Sequence, residues 1–371
     1  MIALIASAIV GGRMEGSVAR TDASSHKQSA PPKETAGIEN EYTAGLVTGP
    51  PHSTEFAIAQ EIATTLATGQ ETGPHGEMAL RVIPMVGNGG MRNLTDVLTL
   101  PDADLAIAPV ILANRLQQRK TLGDVRNKLV YIAPLFNEEF HLVAPPEIKS
   151  PADLAGKTIS LGEAGSVGDM LGREVLDALG VKAHEVNLGL DAALDAMRKG
   201  RISAALLVSA KPVDFLTRDA QFDAIHFVPI PYSQLLHRGY VAATLRHEDY
   251  PTIIGVNESV DTIAVKSALF AYNWPAGSKR FRLLKSFVQT FFSRFSEFQS
   301  GAHSPQWREV NLAATLAEWQ RFRPAERWLQ RQELRSKFDR FIKRSPAAGP
   351  ADRDALFRDF LRWRERKDKA K

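Results

Sequence analysis

The sequence lacks cysteine, which excludes disulfide bonds, thiol nucleophiles and thiolate metal ligands. It also lacks an apolar run of the ~20 residues that a membrane-spanning helix needs. The phosphate-binding motifs G-x-x-x-x-G-K-[ST] and G-x-G-x-x-G are absent, and so is the zinc motif H-E-x-x-H. These absences argue against the common nucleotide-dependent and metal-dependent enzymes, and we expect neither a cofactor nor a metal site.

The composition is that of an ordinary globular chain, with 371 residues of which 44% are apolar and 24% charged. The length predicts two domains with appendages. The net charge of +4 conceals a polarity, because residues 320–371 carry 17 Lys and Arg against 8 Asp and Glu, which leaves about −5 for the rest. This basic tail is of mixed charge and has no nucleic-acid-reading motif, so we expect no nucleic-acid partner.

The first twelve residues are apolar and contain Ala6-Ser7-Ala8, a small-residue pattern like a signal cleavage site, but no positive segment precedes them. We interpret them as an export signal, either cleaved or kept as a tether, and expect a periplasmic protein. The alternative is a disordered apolar start. Residues 13–42 are rich in Ser, Ala, Pro, Lys and Glu without periodicity, which is typical of a disordered linker.

The body of the chain repeats a strand, a loop and a helix. In residues 149–181 a short capped helix is followed by an apolar strand, the glycine loop 162–166 and a helix that ends before Gly180. The same order begins at Thr43 and recurs after residue 80. This succession predicts an α/β fold with doubly wound, mostly parallel sheets, whose ligands lie at the carboxyl ends of strands.

Two extended crossings divide the predicted fold. Apolar runs at 129–136 and 140–144 flank Asn137-Glu138-Glu139, which we interpret as the first crossing, and a strand from Ser259 returns the chain. The predicted domains are a signal-like start and linker at 1–42, lobe 1 at 43–137 and 232–300, lobe 2 at 138–231, and a basic, Trp-rich helical extension at 301–371. The sequence predicts no role for this extension.

Several segments together resemble a known family. They are L-V-T-G at 46–49 with Ser53-Thr54, I-K-S-P-A-D-L-A-G-K at 148–157, L-G-E-A-G-S at 161–166, and G-R-I-S-A-A at 200–205. Over about residues 42–298 the chain resembles the TAXI-type solute-binding subunits of tripartite ATP-independent periplasmic (TRAP) transporters. The resemblance implies a two-lobed type II periplasmic-binding fold. It also implies non-enzymatic capture of a small solute, an amino acid or organic acid, for delivery to membrane permease subunits.

In that fold the cleft is lined by the loops that follow strands. Small residues and free N–H groups at helix starts favour a carboxylate or phosphate there, and Lys211 is placed to pair with it. The predicted ligand-binding residues are Thr48, Gly49, Ser53, Thr54, Asn88, Gly162, Gly165, Ser166, Val167, Ser209 and Lys211. The alternatives are a glycine turn that serves only packing, helix caps at Ser53 and Thr54, and a solvated lysine.

The acidic residues leave the ligand's charge and two other function classes open. Glu55 stands where the family has an aromatic residue, and Pro50 and Pro51 stiffen the same loop. Glu55, Glu138, Glu139 and Glu163 suggest a paired-carboxylate enzyme, but their spacing fixes no two of them at a working distance. An enzyme on this fold and a sensor or interaction module that uses the basic tail remain the alternatives.

Overall fold

The computed structural model describes residues 42–51, 53–67, 80–218, 225–232, 239–301, 303–343, 355–358 and 360–362. The signal-like start and nearly all of the linker lie outside these ranges. The described strands are β1 (Thr43–Val47), β2 (Arg81–Met85), β3 (Ala103–Pro109), β4 (Leu129–Ala144), β5 (Thr158–Ser160), β6 (His184–Val186), β7 (Ala204–Ser209), β8 (His226–Phe227), β9 (Tyr240–Arg246) and β10 (Ser259–Tyr272). The described α-helices are α1 (Thr54–Ala67), α2 (Met91–Thr99), α3 (Val110–Arg119), α4 (Val167–Ala178), α5 (Leu190–Arg198), α6 (Asp214–Arg218), α7 (Lys279–Ser293), α8 (Phe295–Phe298) and α9 (Arg323–Lys343).

The strands form one sheet in the order β2-β1-β3-β10-β4-β7-β5-β6, with β8 on β4 and β9 on β10. The outer groups, β2-β1-β3 and β7-β5-β6, are parallel, as the repeated strand, loop and helix predicts. The central pairs that involve β4 and β10 are antiparallel. The α/β prediction is therefore confirmed, and the antiparallel centre is an addition that the local pattern did not indicate.

Two long strands join the halves of the molecule. The first part of β4 pairs with the end of β10, while its second part, 139–143, pairs with β7. The pairing of β10 with β4 shifts register between Lys266 and Ala268, and Ala268 lies opposite Pro134, which has no N–H to donate. The crossing predicted at Asn137-Glu138-Glu139 lies within the continuous strand β4, where these residues pair directly with β10 and β7.

The strand that returns the chain begins at Ser259, where the sequence predicted it, but the boundary at residue 232 does not follow the packing. The predicted division assigned residues from 232 onward to lobe 1, but β9 pairs with the first half of β10, for example Thr244 with Asp261. Leu245 and Tyr250 are buried in the same core cluster as Val143 of β4, on the second half of the molecule. The segment that contains β9 therefore belongs with lobe 2, and the chain returns to lobe 1 within β10.

The segment after α8 packs on lobe 1. Trp307 is fully buried among Phe291, Phe295 and Phe298, and its Nε1 donates to Glu61 Oε2 of α1 at 2.5 Å. Helix α9 then packs against α7. Trp307, Val310, Phe322 and Ala325 thus belong to the lobe 1 core. Within the described ranges, no helix is both long enough and apolar enough to cross a membrane.

A two-walled cleft as the candidate functional site

The first wall follows β1. Helix α1 begins where it does because Ser53 Oγ accepts the N–H of Phe56 at 3.2 Å, as a cap at the helix start. A Cβ on Gly49 would lie 2.4 Å from that same oxygen, so a side chain there would displace the Ser53 cap. The carbonyl oxygen of Thr48 accepts a hydrogen bond from Asn93 Nδ2 at 2.8 Å, which connects the loop to α2. The predicted residues of this loop therefore lie together at the N-terminus of α1.

The second wall is the glycine loop after β5. Gly162 and Gly165 have φ of 88° and 77°, a left-handed conformation that favours glycine. Ser166 Oγ caps α4 by accepting the N–H of Asp169 at 3.2 Å, and Asp169 Oδ2 accepts the N–H of Gly165 at 2.9 Å. The chain's own oxygens thus already use part of the donor set that we predicted for an anion.

The two walls are in contact, so the lobes are closed. A Cβ on Gly90 would lie 2.1 Å from the carbonyl oxygen of Gly165, and one on Gly165 would lie 2.9 Å from Asn88 Nδ2. Further along the interface, Arg115 of α3 forms an ion pair with Glu174 of α4. The structure therefore brings Asn88 and its glycine neighbours against the predicted residues of the opposite wall.

A hydroxyl pair links the start of α1 to the end of β7. Thr54 Oγ1 lies 3.2 Å from Ser209 Oγ and donates to the carbonyl of Ala210 at 3.1 Å. Both side chains are buried. Because α1 belongs to the first wall and β7 to lobe 2, this contact crosses the cleft and places these two predicted residues together.

Lys211 has a partner of its own. Its Nζ donates to Asp249 Oδ2 at 2.8 Å and to the carbonyl of Thr244 at 2.7 Å, and its side chain is 19% exposed. This ion pair lies within lobe 2. The structure therefore does not place the Lys211 ammonium with the other predicted residues.

A cavity of about 420 Å³ lies beside the Thr54–Ser209 contact. It is lined by Pro51, Ser53, Thr54, Phe56, Ala57, Gln60, Pro212, Asp214, Phe215, Ser304, Pro305 and Gln306. One wall comes from the segment after α8, where Gln306 Nε2 donates to the carbonyl of Lys211 at 2.8 Å. Sequence reasoning missed this wall because the family resemblance ended near residue 298.

A pair of buried carboxyl groups lies at the hinge, and sequence reasoning did not bring it together. Glu55 of α1 is 4% exposed and Glu138 of β4 is 0% exposed, and the two carboxyl groups lie close enough for each to affect the pKa of the other. Burial raises the pKa of Glu55, and burial together with the Glu55 charge raises the pKa of Glu138 well above its usual range. No local signal predicts the pair, because the two residues are far apart in sequence. The described residues hold no group of three His, Asp or Glu side chains arranged for a metal.

These features define a class of protein. Two α/β lobes joined by two crossing strands, with loops and helix starts facing each other across a cleft, make up the type II periplasmic-binding fold. The profile of the NMT1-like family matches residues 46–315, and the chain belongs to that family.

Similar solved structures are distant. They include the amino acid ABC transporter substrate-binding protein AbpA of Streptococcus pneumoniae bound to L-arginine, with 14% identity, a TM-score of 0.41, and coverage of 74% of this chain and 94% of that one. The periplasmic aliphatic sulphonate-binding protein SsuA of Escherichia coli matches with 12% identity, a TM-score of 0.39, and coverage of 85% and 82%. XAC2383 of Xanthomonas citri, bound to ATP, matches with 11% identity, a TM-score of 0.44, and coverage of 72% and 89%.

Proposed function

We propose that this chain is an exported solute-binding protein that closes its lobes around a small organic anion and delivers it to a TRAP-type membrane permease. The observation that carries the proposal is the cavity, because Thr54 on lobe 1 and Pro212 on lobe 2 both line it. A pocket bounded by both lobes gains its contacts with a ligand only when the lobes close.

The cavity is lined by uncharged polar groups together with one acid, Asp214. Ser53, Thr54, Gln60 and Gln306 carry hydroxyl or amide groups at its surface. Phe56 and Phe215 add apolar area for a carbon skeleton. Because Lys211 is paired with Asp249, we propose that hydroxyl and amide hydrogen bonds, rather than a salt bridge, hold the acid group.

A thermal-shift screen of the purified chain tests the binding function. The panel contains amino acids, dicarboxylates, keto acids, sulfonates and neutral sugars, and a ligand at a hundredfold its Kd should add about 2.7 kcal/mol of stability. A hit confined to neutral sugars would contradict the organic-anion assignment. Turnover of the bound compound would show an enzyme instead.

A matched pair of variants tests the site. Gln60→Ala removes an amide from the cavity and should weaken binding of the solute found by about fivefold, since a net hydrogen bond contributes about 1 kcal/mol. Gln118→Ala removes another exposed glutamine, from α3, and should leave affinity unchanged. Equal affinities for the two variants would place the solute elsewhere.

Delivery is tested by uptake of the same solute into cells that express TRAP-type membrane subunits with and without this chain. We expect uptake to require both. Uptake that instead depends on an ATP-hydrolysing importer would contradict the assignment to a TRAP-type permease.

A further inference from the structure

The carboxyl groups of Glu55 and Glu138 meet where the molecule bends. Glu55 lies in the first turn of α1, on the first wall of the cleft, and Glu138 lies in the middle of β4. Ser267, on the facing part of β10, donates its hydroxyl to Glu138 Oε1. The pair therefore bridges lobe 1 and the two strands that connect it to lobe 2.

The charged groups around the pair do not neutralise it. Glu139, the next residue of β4, is a third acid and not a cation, and burial raises its own pKa to about 8. Glu139 accepts the backbone N–H of Lys211 at 3.0 Å, while the Lys211 ammonium is bonded to Asp249. Glu309 also lies near Lys211 and Glu139 and is itself an acid. Within the described part of the chain, the neighbourhood of the pair thus offers hydroxyl and amide donors, and no cation is among the groups that shift the pKa of either carboxyl.

One oxygen of the carboxyl pair lacks a hydrogen-bond donor among the described residues unless the pair holds a proton. Ionised carboxylates only accept, so two of them in contact would repel and share no hydrogen bond. Glu138 Oε2 is buried and has no donor from any other described group. A single proton on one of the two carboxyls turns it into a donor to the other, which supplies this missing bond and removes one of two buried charges.

The carboxyl pair lies beside a contact that crosses the cleft, because Thr54, the neighbour of Glu55, contacts Ser209, which pairs with Glu139, the neighbour of Glu138. The register shift of β10 beside Pro134 marks the point where the sheet can bend. Bending there would separate Thr54 on α1 from Ser209 on β7 and admit water to the carboxyl pair. In water the two carboxyls would return toward ordinary acidity, because desolvation is the largest cause of their shifts.

We propose that closure of the two lobes takes up one proton, which Glu55 and Glu138 share in the closed state. The closed form then binds more protons than the open form, so acidification favours closure and alkalinisation favours opening. The inference goes beyond solute binding and does not depend on which solute is bound. For an anionic solute it has a further consequence, since the proton lowers the negative charge at the cleft as the solute arrives.

Lobe distance in the solute-free chain, measured against pH, tests the proposal. Because the chain has no native cysteine, Gln118→Cys on α3 and Lys182→Cys after α4, both at exposed positions, allow site-specific spin labels on opposite lobes. Pulsed electron resonance at pH 5.5, 7.0 and 8.5 then reports the closed and open populations. Uptake of one proton changes their ratio by up to tenfold per pH unit.

Isosteric variants identify the residues responsible. Glu138→Gln replaces the shared proton with an amide that donates to Glu55 and still accepts from Ser267, so this variant should stay closed at every pH. Glu55→Gln should do the same and serves as a second variant. Glu163→Gln changes an exposed acid of the second wall and should keep the pH dependence of the parent.

Two results would overturn the proposal. One is a lobe distance in the parent that does not change with pH. The other is a pH dependence that survives in both Glu138→Gln and Glu55→Gln but disappears in Glu139→Gln, which would assign the proton to the neighbouring carboxyl.

Discussion

Replacing Gly90 by alanine should hold the cleft open without unfolding either lobe. Gly90 precedes α2 with φ of −86°, an ordinary backbone conformation that alanine also adopts. The obstacle is the opposite wall, since the new Cβ would lie 2.1 Å from the carbonyl oxygen of Gly165. Real Cβ atoms essentially never approach closer than 3.0 Å, so the walls must separate by about 1 Å.

The expected magnitude follows from the packing of the interface. Overpacking a closely fitted contact by one methyl group costs about 1–3 kcal/mol. Because the clash exists only in the closed form, this cost reduces the closed population and weakens solute binding by about 5- to 150-fold. The free energy of unfolding of the solute-free chain should change by less, since the lobes can relieve the clash by opening.

Solute titration and the spin-label distance between positions 118 and 182 check this prediction. Gly123→Ala is the control: its Cβ would meet no atom within 4 Å, but its φ of 74° makes alanine strained. The control should lose about 1–2 kcal/mol of stability and keep full affinity. Unchanged affinity and an unchanged lobe distance in Gly90→Ala would refute the conclusion that these loops meet when solute is bound.

Three further predictions concern stability. Trp307→Ala should lower the urea-unfolding free energy by about 3–5 kcal/mol, because the ring is fully buried; a loss under ~1 kcal/mol would contradict a structural role for the segment after α8. Arg280→Ala should lower the free energy of unfolding by about 3–5 kcal/mol, because it removes the ion pair of Arg280 with the buried Asp104 carboxylate. Arg92→Ala removes a more exposed ion pair and should lower it by less than about 1 kcal/mol. Equal losses in the two variants would contradict the stabilising role of the buried pair. Glu139 has a pKa of about 8 in the folded chain, whereas an unfolded glutamate loses its proton near pH ~4.3. The free energy of unfolding should therefore fall as pH rises from 5 to 8. Glu139→Gln should make the urea midpoints at pH 6 and pH 8 more alike, and an unaltered pH dependence would refute this prediction.

The sequence by itself predicted most of the local structure. The strand preceding Thr48, the glycine loop at 162–166 and the cap at Ser53 are encoded within a few residues of sequence. The local signals are apolar periodicity, glycine in the left-handed conformation and a hydroxyl that accepts a backbone N–H. The repetition of these units predicted the α/β class and two facing walls. The predicted site residues of these loops were placed together for the same local reasons, although their role in binding remains a prediction.

Tertiary structure decided what depends on long-range pairing. Whether β9 joins lobe 1 or lobe 2 is set by its hydrogen bonds to β10, and whether Lys211 faces a ligand or Asp249 is set by a distant segment. The segment after α8 becomes a cavity wall only because Trp307 finds α1 and the phenylalanines before it. Glu55 and Glu138 acquire their shared environment only when α1 packs against β4, since burial and mutual charge are properties of the folded contact and not of either local sequence.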